Sequence, residues 1–208
     1  MVILVKEVSK KFGDITVFDN FSMKVKEREF LAIQGVSGSG KSTLLNMLGL
    51  LDTPDSGTIT LFGQDNIKPF SKQAEKVLKN EIGYLFQNFA LIENETVYYN
   101  LMLTIEHYKM KDKTEKIKKA LMAVGLTDYE RKYIYQCSGG EQQRIAIARL
   151  LIKPCNLILA DEPTGSLDEE NKMEIFQLLK KLQDQGKTIL MVSHDQELIE
   201  KADRIIAL

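Results

Sequence analysis

Hydrophobic and polar residues alternate along the first 25 positions of the chain. Ile3 and Val5 begin the pattern, a Gly13-Asp14 pair interrupts it, and apolar residues return at every second position from Phe21 to Val25. A period of two is typical of half-buried strands, and a Gly-Asp pair is typical of a tight turn. The pattern therefore predicts antiparallel strands at the start of the chain.

A short apolar run, Phe30–Ile33, leads directly into a glycine-rich loop. Such a run is typical of a strand that is buried on both faces. After the loop, Leu44, Leu48 and Leu51 are spaced as on the buried face of one helix. Asp, Pro and Gly at positions 52, 54 and 57 end this helix, and another strand is predicted over residues 58–62.

The middle of the chain has a different pattern, because helical periodicity dominates from about residue 88 to residue 151. One apolar stripe runs from Ile117 to Val124 and ends at a glycine, and a second runs from Ile145 to Ile152. Strands are predicted again over 157–160, over 188–192 and near 205–206, with a helix over 175–182. Strands that alternate with helices predict a parallel sheet whose functional groups lie where the strands end.

Composition narrows the possible classes of protein. The chain has 208 residues, 27% charged and 44% hydrophobic, which fits one large globular domain. Its net charge of −1 gives no general attraction to nucleic acid or anionic membranes. Cys137 and Cys155 lack metal-ligand spacing and indicate free thiols in a reducing compartment. Since no apolar run approaches the ~18–20 residues of a membrane span and no signal-peptide pattern begins the chain, we expect a cytoplasmic location.

The segment Gly35-Val-Ser-Gly-Ser-Gly-Lys41-Ser42 matches the phosphate-binding pattern G-x-x-x-x-G-K-[ST], between a predicted strand and a predicted helix. Its glycines let backbone N–H groups face a phosphate, and the helix N-terminus adds its dipole. Lys41 would neutralise the β- and γ-phosphate oxygens, and Ser42 would bind magnesium. The alternative is a Gly/Ser-rich turn, which the flanking strand and helix disfavour.

Two carboxylates, Asp161 and Glu162, end the apolar strand Leu157–Ala160. Asp161 is a candidate magnesium ligand, and Glu162 is a candidate base for the attacking water. By itself, such a pair also fits a strand that simply reaches solvent. Together with a phosphate loop, the pair indicates nucleotide hydrolysis.

The stretch Cys137-Ser-Gly-Gly-Glu-Gln-Gln-Arg-Ile-Ala-Ile-Ala-Arg149 places a hydroxyl and two glycines before a helical pattern. Their free N–H groups would form a second anion-binding nest. The alternative is an ordinary helix start, with Ser138 and Glu141 as a capping box. The stretch resembles the signature motif of ATP-binding cassette (ABC) ATPases, usually Leu-Ser-Gly-Gly followed by Gln or Glu. Cys137 replaces the leucine, and we expect function to be retained because the anion donors are unchanged.

Other elements of the same family occur in the family's order. Gln87 resembles the Q-loop glutamine, Ser166-Leu167-Asp168 resembles the D-loop, and His194 resembles the switch histidine. Phe12 lies where the family places an aromatic residue that stacks on adenine. Each has a plainer alternative: a loop amide for Gln87, a carbonyl partner for His194, and simple packing for Phe12.

The resemblance covers nearly the whole chain and implies an α/β fold. This fold is a P-loop NTPase (RecA-like) core with an N-terminal antiparallel β subdomain and an inserted α-helical subdomain. On this basis residues 1–208 form one ATPase domain, in which 1–87 and 152–208 form the core and β subdomain. Residues 88–151 would then form the helical subdomain that carries the signature.

The resemblance also implies a role for each site residue. Four residues would be catalytic: Glu162, His194, Lys41 and Gln87. Three would hold magnesium: Ser42, Gln87 and Asp161. Residues that would bind the nucleotide of their own protomer are Phe12, Gly35, Ser37, Gly38, Ser39, Gly40, Lys41, Ser42, Thr43 and Asp168. Residues that would contact the partner protomer's nucleotide are Ser138, Gly139, Gly140 and Glu141.

The implied cofactors are ATP and Mg²⁺, and the implied partners are an integral membrane permease and a second copy of this chain. The two copies would form a head-to-tail, ATP-dependent homodimer at the inner face of the cell membrane, without nucleic acid. The segments 48–52 and 163–168 resemble the branch of macrolide exporters, lipoprotein-release systems and bacteriocin exporters.

A different class of function remains open at this point, a soluble ABC ATPase that acts on nucleic acid or ribosomes. Such proteins usually carry paired cassettes, or a coiled-coil or zinc insertion, and this sequence has neither. An unrelated P-loop kinase or GTPase would leave the 138–149 stretch unexplained.

Overall fold

The computed structural model describes residues 1–165 and 168–208. The strands in chain order are β1 (Ile3–Phe12), β2 (Ile15–Val25), β3 (Phe30–Gln34), β4 (Ser56–Leu61), β5 (Gln64–Asp65), β6 (Ile82–Leu85), β7 (Leu157–Asp161), β8 (Thr188–Val192) and β9 (Arg204–Ala207). The helices are α1 (Lys41–Leu48), α2 (Lys72–Asn80), α3 (Val97–Ile105), α4 (Lys113–Ala123), α5 (Gly139–Ile152), α6 (Glu169–Asp184) and α7 (Gln196–Glu200). A 3-10 turn, Ile134–Gln136, precedes α5.

The N-terminal strands form an antiparallel sheet in the order β2-β1-β4-β5. Ile3 pairs with Val25 and Val5 with Met23, so the alternating apolar residues lie on one buried face. Gly13, with φ +59, makes the turn between β1 and β2, which a glycine adopts without strain. The predicted antiparallel strands are confirmed.

A second sheet, in the order β6-β7-β8-β3-β9, is parallel throughout. Alternate residues of its strands face opposite sides. Phe30 and Ala32 belong to the core shared with the helices, whereas Leu31 and Ile33 belong to the core shared with the antiparallel sheet. Because the strands are parallel, the segments that follow their carboxyl ends meet at one edge of the sheet.

One sequence-based boundary is wrong. The helix after the glycine loop ends at Leu48, and Leu51, predicted on its buried face, is 47% exposed. The N–H groups of Gly49 and Leu51 instead close this end of the helix onto the carbonyls of Leu45 and Asn46. Leu50, with φ +58, turns the chain and is itself buried. The apolar spacing therefore continued past the end of the helix.

Helices α3, α4 and α5 follow β6 and precede β7 in the sequence, and they pack on one another. Their contacts include the predicted stripe of Ile117, Leu121 and Val124, which is buried. Helix α2, which the apolar pattern did not predict, lies outside this group and packs on β6. The division of the chain at residues 88 and 151 stays a prediction.

Within residues 1–165 and 168–208, no helix combines the length and apolar character that a membrane crossing requires.

Candidate nucleotide site

A cavity of about 580 Å³ opens at the carboxyl edge of the parallel sheet. Four strand ends contribute to it, because the loops after β3, β6, β7 and β8 converge there. The residues that line it are Val17, Gly35, Val36, Ser37, Gly38, Gly40, Lys41, Ser42, Thr43, Gln87, Asp161, Glu162, Val192 and His194. The fold thus brings together residues that are up to 177 positions apart in the sequence, from Val17 to His194.

The glycine loop between β3 and α1 has a backbone that depends on its glycines. Gly38 and Gly40 have φ values of +82 and +97, which other residues adopt only with strain. A Cβ at Gly40 would also lie 2.6 Å from Val17 Cγ1, and one at Gly35 would lie 2.3 Å from Ser39 Oγ. The loop therefore has a tight backbone path that glycine permits, as in a loop that surrounds a phosphate with backbone N–H groups.

Lys41 begins α1 and curls over this loop. Its Nζ donates to the carbonyls of Gly35 at 2.7 Å and Val36 at 2.9 Å. These two bonds fix the ammonium group at the cavity wall. A phosphate placed against the loop would meet this charge together with the free N–H groups of the helix start.

Asp161 ends β7, and Glu162 follows it with a φ of +44. The turn at Glu162 directs its carboxylate to His194, whose Nδ1 lies 2.9 Å from Glu162 Oε2. Burial raises the pKa of Asp161, the Glu162 carboxylate raises it further, and Lys41 opposes both effects. The sheet edge therefore places two carboxylates, a histidine and an ammonium group around one cavity.

The donor set fits MgATP. Mg²⁺ prefers a few carboxylate or hydroxyl oxygens and completes its shell with phosphate oxygens and water. Ser42 and Asp161 offer such oxygens beside the glycine cradle. In the described part of the chain, no three or more His, Cys, Asp or Glu side chains form a complete metal cage. The residues present thus suit a Mg²⁺ ion that takes a few ligands from the protein and the rest from a bound triphosphate and water.

The chain also matches known proteins. A family model described as ABC transporter matches residues 18–165. The chain belongs to the ABC transporter family. It is 40% identical over 202 residues to the macrolide export ATP-binding/permease protein MacB of Bdellovibrio bacteriovorus, covering 96% of this chain and 31% of that protein. It is 41% identical over 202 residues to the uncharacterized ABC transporter ATP-binding protein YvrO of Bacillus subtilis, covering 95% of this chain and 88% of that one.

Solved structures agree with this family. The dimeric structure of MJ0796, a bacterial ABC transporter cassette, matches with a TM-score of 0.88 and 37% identity, covering 99% of this chain and 94% of that one. A dimeric post-hydrolysis state of MJ0796 bound to ADP and Pi matches equally well, at 36% identity. The chain is thus an ATP-binding ATPase cassette, with the predicted P-loop core and antiparallel sheet. It spans less than a third of the length of the macrolide exporters that it matches.

The signature stretch of this cassette lies at the start of α5. The capping box of the alternative interpretation is present, since Ser138 Oγ accepts from Glu141 N at 3.3 Å and Glu141 Oε2 accepts from Ser138 N at 2.7 Å. Tyr129 donates to the same carboxylate, and Lys132 Nζ lies 3.2 Å from it. Burial opposes ionisation of Glu141, but hydrogen bonds from Tyr129, Ser138 and Lys132 outweigh it and lower its pKa. The carboxylate is thus held within its own protomer.

Several predicted residues lie off the cavity wall. Ser39 Oγ is buried and has no hydrogen-bond partner among the described residues. Phe12 is 51% exposed at the β1–β2 hairpin, with Lys10 Nζ 5.1 Å from its ring centre. The signature residues, Ser138 to Glu141, also lie outside the cavity lining. Asp168 caps α6 by accepting from Asn171 N at 2.9 Å, whereas Ser166 and Leu167 of the D-loop lie outside the described residues.

Sequence reasoning missed other residues at the site. Val17, on β2, lines the cavity, although nothing in its alternating pattern marks it. Gln143 and Arg144 join α5 to the segment after Glu162. Both belong to the quoted signature stretch, but the spacing of residues does not tell which backbone a side chain will reach.

Proposed function

We propose that this chain powers export, or mechanical transmission across a membrane, by hydrolysing ATP for a separately encoded integral membrane permease. The convergence of Lys41, Asp161, Glu162 and His194 on one cavity carries this proposal. The similarity to MacB, named a macrolide export ATP-binding/permease protein, supports the exporter branch. Bacteriocin export belongs to the same proposed branch.

Each residue of the cavity has a chemical task in this proposal. Lys41 would balance the charge of the β- and γ-phosphate oxygens. Ser42, Gln87 and Asp161 would hold the magnesium ion. When bound, the ion neutralises the phosphate oxygens and orients them for displacement. Glu162 accepts the proton of the attacking water, and His194, 2.9 Å from it, keeps the carboxylate aimed into the cavity.

We propose further that two copies act as a head-to-tail, ATP-dependent dimer. The free N–H groups at the start of α5 lie outside the cavity lining of their own protomer, which favours their contact with a nucleotide held by a second copy. Dimeric structures of MJ0796 support an assembly of two cassettes. Ser138, Gly139, Gly140 and Glu141 would then approach the partner's triphosphate, whereas Asp168 would contact the nucleotide of its own protomer.

Hydrolysis would act as a release step in this dimer. Two bound triphosphates bridge the protomers, and loss of the γ-phosphate removes the bridge, so the protomers separate. The cassette would lie at the inner face of the cell membrane, bound to the permease. The separation of the protomers would be transmitted to the permease through this contact. The relatives named above are transporter proteins, which favours this assignment over action on nucleic acid or ribosomes.

The test replaces the proposed base. Glu162→Gln keeps the shape of the side chain and removes its basicity, so hydrolysis should fall about a hundredfold or more. ATP binding should persist, and the variant should elute as a dimer with ATP on size-exclusion chromatography. The control is Glu115→Gln, the same change on the exposed face of α4. Hydrolysis by Glu162→Gln at the control's rate would contradict the proposed base, and a monomer in ATP would contradict the proposed dimer.

A further inference from the structure

Gln143 is a completely buried amide in the second turn of α5, at 0% exposure. Its Nε2 donates to the carbonyl of Pro163 at 2.7 Å. Its Oε1 is buried without a partner among the described residues. A buried polar group without a partner destabilises the fold, and an apolar side chain of the same size would avoid this cost. Stability alone therefore does not explain an amide at this position.

The bond from Gln143 holds the backbone next to the proposed base. Pro163 directly follows Glu162, whose φ of +44 is unfavourable for a side chain with a Cβ. Glu162 N donates to Val192 O at 3.0 Å, and Gly165 N donates to Glu162 O at 3.2 Å. Gln143 adds the contact that comes from outside this edge of the sheet. The backbone turn that aims the Glu162 carboxylate is thus fixed from three sides.

The next residue of α5 holds the other end of the same segment. Arg144 Nη1 donates to Asn171 Oδ1 at 3.0 Å, and Asn171 Nδ2 donates to Asp168 Oδ1 at 2.8 Å. Two consecutive side chains of α5 therefore form hydrogen bonds on the two sides of the D-loop. Gln143 bonds to Pro163 before it, and Arg144 bonds to Asn171 after it. Because Ser138 caps α5 and Gln143 lies in its second turn, a displacement of the start of the helix would reach the backbone beside Glu162 within two turns.

We propose that Gln143 is a positioning residue for the hydrolysis step, which holds Glu162 in the orientation that activates water. The inference rests on the proposed function, because it takes Glu162 as the base. Through Gln143, the helix whose start faces the partner's nucleotide also sets the base of its own protomer. Each nucleotide site of the dimer is then linked to the other by one buried hydrogen bond.

The test is Gln143→Met, which keeps the length of the side chain and removes the donor. We expect kcat to fall about tenfold to a hundredfold, as for a base displaced by a fraction of an ångström, while KM for ATP stays within about twofold. A cassette that binds ATP but hydrolyses it slowly should also accumulate as the ATP-bound dimer. Gln143→Met should therefore elute as a dimer with ATP for longer than the parent, a result that a loss of packing alone would not give. Gln143→Leu should behave in the same way if the methionine variant folds poorly.

The matched control is Gln183→Met on α6. Its Nε2 donates to the carbonyl of Arg28 at 2.8 Å and to Asp203 Oδ2 at 2.5 Å, and its Oε1 is also buried without a partner in the described part of the chain. Gln183 lies away from the cavity, so kcat and the lifetime of the ATP dimer should match the parent. Equal kcat for Gln143→Met and Gln183→Met, or a raised KM with kcat unchanged, would overturn the proposal. If Glu162→Gln still traps the dimer in that case, the proposed function stands without this inference.

Discussion

The cavity at the sheet edge and the start of α5 both offer N–H groups to an anion, but they are built differently. The cavity is defined by backbone: the loops after four parallel strands meet there, and glycines with positive φ shape its floor. The start of α5 is defined by side chains, since the Glu141 carboxylate ties it to Tyr129, Lys132 and Ser138.

This difference indicates how the two regions act. The cavity gathers a complete set of charged groups within one protomer. The start of α5 presents donors beside a glycine, Gly139, where an added Cβ would meet no described atom within 4 Å. A region with open space and free donors is suited to receive the ligand of another molecule. Substitutions in the cavity should therefore abolish ATP hydrolysis. Substitutions at the start of α5 should change either the stability of the fold or the formation of the dimer, and not both together.

The largest expected effect comes from a charge in the open space. Gly139→Asp should leave the free energy of unfolding unchanged or slightly raised, because an acidic residue in the first turn suits the helix dipole. The carboxylate would repel the partner's phosphates, so the ATP-dependent dimer should disappear and hydrolysis should fall about a hundredfold. Thermal unfolding, size-exclusion chromatography and phosphate release measure these three quantities.

The neutral control is Gly139→Asn, which has nearly the same shape. It should retain more dimer than the aspartate variant, since only the charge differs. Equal loss in both variants would show that steric exclusion, rather than charge, governs the contact. Unchanged hydrolysis in Gly139→Asp would contradict a role for this glycine at the partner's nucleotide.

A smaller effect concerns acid stability at the start of α5. Since the pKa of Glu141 is lowered in the folded state, the unfolded chain binds more protons as pH falls below the unfolded value of 4.5. The stabilising contribution of Glu141 is therefore full above that pH and is lost as pH falls through the lower folded pKa. Glu141→Gln should lack this contribution, so the melting temperature of the variant should fall less steeply with acid.

Melting curves between about pH 3 and pH 7 measure this difference. Glu115→Gln, on an exposed face, serves as the control and should keep the steep acid dependence of the parent. Hydrolysis by Glu141→Gln should persist at neutral pH, because the family usually has Gln or Glu here. Identical acid profiles for the parent and Glu141→Gln would contradict the side-chain ties described for α5.

The smallest effect is expected at Cys137, where the family usually has leucine. Cys137 is 7% exposed, its Sγ lies 3.5 Å from the carbonyl oxygen of Tyr133, and burial raises the pKa of its thiol. Cys137→Ala should lower the free energy of unfolding by about 1 kcal/mol through lost packing. Hydrolysis should be retained, because the N–H donors that follow are unchanged. Denaturant unfolding measures the loss of unfolding free energy, and Cys155→Ala, which removes a second buried thiol, is the control. If Cys137→Ala lost hydrolysis without losing stability, the expectation would be contradicted.

Much of the fold could be predicted because its signals are local. The alternation before and after Gly13 and the apolar runs that end at Ile33 and Ala160 each depend on neighbouring residues only, and all three predicted strand regions are confirmed. Helix α2 was not predicted: Ala74, Val77 and Leu78 do have helical spacing, but the stripe is short, and only Ala74 and Val77 of this helix are buried. The position of β9 beside β3 was also out of reach, since pairing between distant segments leaves no local pattern.

The site divides in the same way. Apart from Val17, the residues that line the cavity lie at or after the ends of parallel strands, so a motif and a predicted strand suffice to nominate Lys41 and Asp161. The contact of Glu162 with His194 depends on a backbone turn at φ +44, which no residue type indicates. The bond from Gln143 to Pro163 depends on how α5 packs against the sheet. Such contacts arise from tertiary packing and become visible only with the folded chain.

In the proposed dimer, the cavity of one protomer works with the α5 start of the other. Mixing two variants tests it directly: Lys41→Ala breaks only the cavity, and Gly139→Asp breaks only the α5 start. Each alone should be nearly inactive. A mixed dimer has one site in which both parts are intact, so an equal mixture should hydrolyse ATP well above either variant alone, and at about a quarter of the parent's rate where all pairings are equally populated. No recovery, in a mixture shown to form mixed dimers, would contradict the head-to-tail arrangement.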